Sequence, residues 1–434
     1  MKTNFKFIGP IVILIALCLT GLDKVYNNQL GAWFSGCKPI LKFIPFGITV
    51  LLFSLVPLAF KWLQHYFSKK FFLKLITFVL FISLVVGQLL CLLFALPHIT
   101  GLPHGIDHPC FMFRIHEFFE VFPLVGAYNP WWNAGTEHFI GVTSGAHAFA
   151  FLVVPFLLFG TFEQVYGPAL FFWLFVGGPW LAVISLRSMG LRWCGAFSAG
   201  LLMLAFTRAE YLFFWQSGNV GGMVTCLFTV PMVALTYKIC ILRKGTILSS
   251  ILLGLCGWIS CIWPAGIMTP LGLGFGVLLN IRRLDRKAIN HLIIAVLIAL
   301  ILISQWLWAL LFPSKGIVDY VAEVTNTDYS ITKMFVAGCR QFFRRISEWH
   351  PLLVTIGFGG LLFTKNVRWK YFLFPVFCVL SCVAISIGFY RDSQLDRIAI
   401  QMGAVAIVPT SVFIGRFFSV LLKKTNVGYF HIYG

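Results

Sequence analysis

The chain has 434 residues, of which 59% are hydrophobic and 11% charged, and its mean hydropathy is +0.90. Soluble chains carry about 25% charged residues, so this composition excludes an ordinary soluble enzyme, a disordered chain and a small disulfide scaffold. The formal charge of +19 comes from 33 Lys+Arg against 14 Asp+Glu; it lies in short clusters between apolar runs, which orients a membrane protein and removes nucleic acid as an expected partner.

The pattern predicts an all-α fold: a polytopic transmembrane bundle of about 12–14 helices, forming a single integral membrane domain over 1–434 with no soluble domain. Residues 7–22, behind Lys2 and Lys6, lack a good cleavage site and read as an uncleaved first span. Apolar runs follow at 43–60 and 75–97, separated by Lys61, Lys69, Lys70 and Lys74, which should face the cytosol. The segment 98–146 is then external, with Arg114 as its one basic residue apart from His.

The middle is ambiguous. Runs at 147–160, 169–186 and 194–206 make three crossings where parity demands an even number. Pro155, Pro168 and the Gly-Gly-Pro at 177–179 are the places where a helix would break. The second half predicts spans at 223–240, 247–263, 265–280, 292–312, 351–364, 371–388 and 398–420. Basic clusters place 241–246 and 281–291 inside, 313–350 and 389–397 outside, and both termini in the cytoplasm. The twelve cysteines show no CxxC pair and read mostly as small buried hydrophobes.

The acids are distributed unevenly. Asp285 is cytosolic, whereas Asp107, Glu117, Glu120, Glu137, Asp392 and Asp396 fall in external segments. Water-facing loops need polar residues, and an external acidic site would leave the same pattern.

In the first external loop, Phe111, Ile115, Phe118, Phe119 and Phe122 recur at helical spacing. They predict an apolar helix face lying on the outer leaflet, with Arg114, Glu117 and Glu120 pointing elsewhere. Asp107 precedes Pro109 at the helix start, as an N-cap, as a carboxylate held at the membrane surface, or as both. Six histidines in or beside this loop have irregular spacing and predict no structural metal site. Asp107 or His108 would sooner assist a divalent cation, Mg2+ or Mn2+, although such hard cations prefer oxygen ligands. In the turn 129–135, Trp131 and Trp132 suit interfacial anchoring or sugar stacking.

In the loop 313–350, Arg340, Arg344 and Arg345 project from an amphipathic stretch. They suit either lipid headgroups or a phosphate clamp for a lipid-linked substrate. In the loop 389–397, Arg391, Asp392, Asp396 and Arg397 form either a self-satisfied network or part of the same site.

The run GIDHPCFMFRIHEFFE, followed by YNPWWNAGTEHF, resembles the first external loop of YfhO-like bacterial membrane proteins. Some of these are labelled 6-pyruvoyl-tetrahydropterin-synthase-related, and the family is similar to the C-type polytopic glycosyltransferases. Gly105, Asp107, Phe111, Arg114, Trp132, Asn133 and Gly135 occupy the matching places. FFWQSGNVGG at 213–222 resembles a later Gly-Asn segment, and SQLDRIAIQ at 393–401 a late Gln-x-x-Arg element. Met112 stands where the family has His, and Gly221 and Gly222 stand where a Glu is usual.

The resemblance implies a glycosyltransferase of the bacterial inner membrane. It would move a sugar from a polyprenyl-phosphate donor to an envelope glycan, lipid or protein acceptor on the external face. Asp107 would be the general base, or would position cation and donor. His108, Arg114, Trp131, Trp132, Asn133, Glu137, Arg340, Arg344, Asp396 and Arg397 would bind substrate. A transporter or flippase of lipid-linked intermediates is the alternative; it would need ionisable residues deep in the spans, and Glu163 and Glu210 are the only candidate acids, which counts against ion-coupled transport. A non-catalytic scaffold that kept the fold is the third.

Overall fold

A computed structural model describes residues 69–99, 107–121, 146–211, 214–215, 218–261, 263, 266–311 and 392–421. The predicted spans 7–22, 43–60, 351–364 and 371–388 lie outside the described residues. Among the described residues the structure is helical, without strands. In chain order the helices are α1 (Lys69–Ile99), α2 (His108–Val121), α3 (Ala146–Val153), α4 (Phe162–Ser188), α5 (Trp193–Ala209), α6 (Val220–Cys240), α7 (Ile247–Cys261), α8 (Met268–Leu279), α9 (Arg286–Leu311) and α10 (Asp392–Leu421). A 3-10 turn, Val154–Leu158, extends α3.

Four stretches are long and apolar enough to cross a membrane: Leu73–Leu96 in α1, Phe162–Ser188, Val220–Cys240, and Arg286–Ser304 in α9. The outward faces of α1 and α9 are strongly apolar. Phe78 and Leu90 are each 60% exposed and Ile301 is 69% exposed. Apolar surface on that scale would be costly in water and suits lipid. The chain has the character of a membrane protein.

Side-chain contacts set the direction of each helix. Phe81 meets Phe197, Leu84 meets Gly200, Gly87 meets Leu204, and Arg208 stacks on Phe94, so α1 and α5 run parallel. Gln88 of α1 reaches Phe175 while Phe81 meets Trp180, so α4 runs antiparallel to both. Thr225 on α6 donates to the Ile259 carbonyl on α7, opposite ends of an antiparallel pair. Gln401 of α10 lies beside Thr229, while Ser411 and Gly415 lie beside Gly195. Lys69, Arg192, Arg243, Lys244 and Arg286 therefore share one end of the bundle. Asp107 and the start of α10 share the other.

The middle of the chain takes a defined path. α4 runs unbroken from Phe162 to Ser188, straight through Pro168. Pro168 makes no break; the irregularity is a π turn, Trp173–Gly177, that runs into the Gly-Gly-Pro at 177–179, one of the expected places. Pro179 cannot donate to the Phe175 carbonyl four residues back. Gln88 Nε2, from α1, donates to that carbonyl at 2.9 Å. The start of α4 also precedes the expected 169, because Gln164 Oε1 accepts from the Thr161 amide at 3.0 Å and closes the first turn. The run 147–160 is the short one. Eight α-helical and five 3-10 residues reach about 22 Å, short of a hydrocarbon core about 30 Å thick. Phe156 meets Phe172 partway down α4, and the chain then returns to Phe162, beside Phe119 of α2. This hairpin enters and leaves at the same end of the bundle, whereas α4 and α5 run between its two ends.

The predicted leaflet-facing surface of α2 is corrected. Phe111, Ile115 and Phe118 are 5%, 0% and 6% exposed and join the protein core. Phe118 stacks on His147 at 4.6 Å and meets Phe151 edge-on, so α3 takes the place assigned to lipid. Phe122 lies outside the described residues.

Candidate functional site

Asp107 occupies the N-cap position of α2: its carbonyl accepts from the Phe111 amide at 3.0 Å. Its side chain is half-buried at the positive end of the helix dipole, where a carboxylate is favoured. His108, the first helical residue, turns inward and is fully buried. Nδ1 lies 2.9 Å from Tyr166 Oη and Nε2 lies 2.5 Å from the Trp215 carbonyl oxygen. A carbonyl only accepts, so Nε2 carries the proton. In neutral imidazole Nδ1 is then the acceptor and Tyr166 donates. Burial pushes the His108 pKa down, against the Trp215 carbonyl, which favours the charged form.

A third segment closes this corner. Gly218 has φ +73°, and a Cβ there would stand 2.7 Å from the His108 amide nitrogen and 3.1 Å from the Asp107 carbonyl carbon. Only glycine allows this conformation at this distance. Asn219 then starts α6, its side-chain oxygen accepting from the Gly222 amide at 2.8 Å. A Cβ on Gly222 would meet that oxygen at 2.7 Å and the Trp263 ring at 2.9 Å. Gly222 thus has a packing reason to be glycine. Asp107 and the Gly218-Asn219 turn, far apart in sequence, meet at one point.

Arg114 points into the protein; it is 8% exposed, beside the Phe111 ring at 5.8 Å. Burial pulls its guanidinium below the ordinary range, while Cys110, Asp107 and Glu117 favour its charge. Asp107 and Arg114 are therefore within electrostatic reach of one another. His108 presents no unengaged ring nitrogen to a ligand, and its place is beneath the site rather than in it. Met112 packs on the core. Asp396 and Arg397 lie in the opening turns of α10, shortly before Gln401 and at the Asp107 end of the bundle; their side chains lie outside the described residues. Trp131, Trp132, Asn133, Glu137, Arg340 and Arg344 also lie outside the described residues.

A second polar centre lies inside the bundle. Gln401, fully buried, donates from Nε2 to Thr229 Oγ1 at 2.6 Å and Thr269 Oγ1 at 2.7 Å. Cys226 donates to its Oε1 at 3.4 Å. Glu210, 2% exposed, caps the end of α5 and acts electrostatically on Cys226. A Gln within an apolar span was a readable signal for this centre. Tyr166 and Trp215 carried no such signal, being aromatic residues in aromatic-rich runs.

Among the described residues no three His, Cys, Asp or Glu side chains gather closely enough to hold a metal ion. Comparison with known proteins finds no matching family model, no matching curated protein and no matching solved structure.

Proposed function

We propose that the chain is a membrane glycosyltransferase working at the Asp107 end of the bundle on a polyprenyl-phosphate sugar. The supporting observation is the close approach of Gly218 to the Asp107–His108 peptide, which joins two of the segments that resemble the C-type family. Asp107 takes the proton of an acceptor hydroxyl as that oxygen bonds the anomeric carbon. The bond from carbon to the phosphate oxygen breaks, and polyprenyl phosphate leaves with the electron pair. Arg114, with Arg340, Arg344 and Arg397 as further candidates, offsets charge on the phosphate. Trp131 and Trp132 stack on the sugar, Asn133, Glu137 and Asp396 hydrogen-bond it, and the acceptor is an envelope glycan, lipid or protein. The described residues do not compose a site for Mg2+ or Mn2+ by themselves. The expected setting is the outer face of a bacterial inner membrane.

The test is transfer of labelled sugar from polyprenyl phosphate in reconstituted membranes. Asp107→Asn should lower the rate about 10²–10⁴-fold at unchanged membrane yield, and full retained activity sinks the assignment. The buried Glu210 favours a second reading, transport of the lipid-linked intermediate. Movement of the lipid-linked sugar across proteoliposomes without transfer would establish that reading instead.

A further inference from the structure

We infer that the bridge Tyr166–His108–Trp215 is a positioning device that fixes Asp107 at its working place; the inference rests on Asp107 being the working carboxylate. Its two arms come from 58 and 107 residues away in sequence. One arm starts on α4, the other in the segment between α5 and α6, and both end on the residue next to Asp107. The imidazole ring therefore sets the rotation and depth of the first turn of α2.

The chemistry is directional. Nε2–H can only donate to the Trp215 carbonyl and Nδ1 then accepts from Tyr166, so the ring has one orientation and one neutral tautomer. Gly218 closes against the Asp107–His108 peptide from beneath and blocks sinking or tilting. The pocket is otherwise aromatic: the His108 ring lies 5.7 Å from Tyr166 and 5.1 Å from Trp215, and Phe149 meets Tyr166 edge-on. An apolar side chain there would leave the buried Tyr166 hydroxyl and Trp215 carbonyl without this partner. A fully satisfied polar bridge instead specifies geometry. His108 and Tyr166 are thus positioning residues, not catalytic ones.

The experiment compares Tyr166→Phe, His108→Gln and the double variant in the full-length protein. Gln keeps an amide able to donate to the Trp215 carbonyl and loses the acceptor facing Tyr166. Two readouts are taken: sugar transfer from polyprenyl phosphate, and hydrogen exchange of the Phe111–Phe113 amides, which report the first turn of α2. Tyr166→Phe should speed that exchange and lower kcat about ten- to hundredfold, with KM unchanged. The double variant should be no worse than His108→Gln alone, because both substitutions cut the same arm. Unchanged exchange in either folded variant overturns the inference, as do fully additive losses in the double variant. If Tyr166→Phe does not accumulate, His108→Gln alone decides between these outcomes by its exchange. Faster exchange in a protein whose wild type transfers no sugar upholds the bridge as the anchor of Asp107 and overturns the transferase assignment alone.

Discussion

His108 and His291 sit at opposite ends of the bundle, both buried and both bonded to a hydroxyl, Tyr166 Oη at 2.9 Å and Ser250 Oγ at 2.8 Å. Ser250 directs its proton to the Thr246 carbonyl at 3.2 Å, so His291 donates from Nδ1. His108 accepts there and donates from Nε2. The His291 bond joins neighbouring helices, α7 and α9, beside the turn at Gly245. Next to it Arg243 and Asp285 make an exposed pair at 4.0 Å, and Asp285 caps α9 through the Ala288 amide at 2.8 Å. His108 instead gathers three distant segments beneath one carboxylate. The same side chain makes a local joint at one end and an aiming device at the other. What separates them is the chain distance their bonds span and the group they carry.

The sharpest way to break this contrast uses the two carboxylates. Asp107→Asn should lower transfer about 10²–10⁴-fold. Asp285→Asn should leave transfer within about twofold and stability nearly unchanged, since Asn caps a helix about as well as Asp. Equal losses in one transfer assay would erase the distinction between the ends. Next comes Gly218→Ala, which forces a left-handed backbone and a contact under 3 Å onto the His108 amide. It should cost on the order of 1–3 kcal/mol, read as a lower unfolding midpoint in detergent.

A smaller effect separates the histidines by pH. Burial holds His108 neutral in the folded protein, so its folded pKa lies below the unfolded value of about 6.5. Stability is full above that unfolded value and is lost as pH falls towards the folded pKa, because the unfolded chain takes the proton first. His108→Gln should flatten the fall of the midpoint below pH about 6.5 relative to wild type; an unchanged slope would show that His108 is not held neutral. Smallest of all, Arg243→Ala removes an ion pair whose side chains are 61% and 39% exposed, and should move stability by less than about 0.5 kcal/mol.

Much of the helical layout was legible because punctuation accompanies it. Basic clusters bracket α6 to α9, and the spans expected at 223–240, 247–263, 265–280 and 292–312 differ from the helices by a few residues, most at the start of α9. The start of α4 was not legible, since the Thr161–Gln164 cap lies before the apolar run rather than within it. The face of α2 was misassigned for a deeper reason. Periodicity shows that Phe111, Ile115 and Phe118 share a side, but lipid and a neighbouring helix are equally apolar covers. Asp107 stood out because acids are scarce in this chain. Its support did not, because Tyr166 and Trp215 acquire their roles only through contacts that folding creates.

The Gln88 bond to Phe175 has a consequence for assembly. Pro179 takes from α4 an amide that a plain helix would use internally, and α1 supplies the replacement. One rung of the helix ladder is thereby moved from within a helix to between two helices. α4 reaches its complement of hydrogen bonds in the company of α1, the earlier of the two to be synthesised. A sliding or rotated pairing would leave a carbonyl bare in a medium without water, where that costs several kcal/mol. One proline and one glutamine thus record which neighbour α4 must find, and at what height.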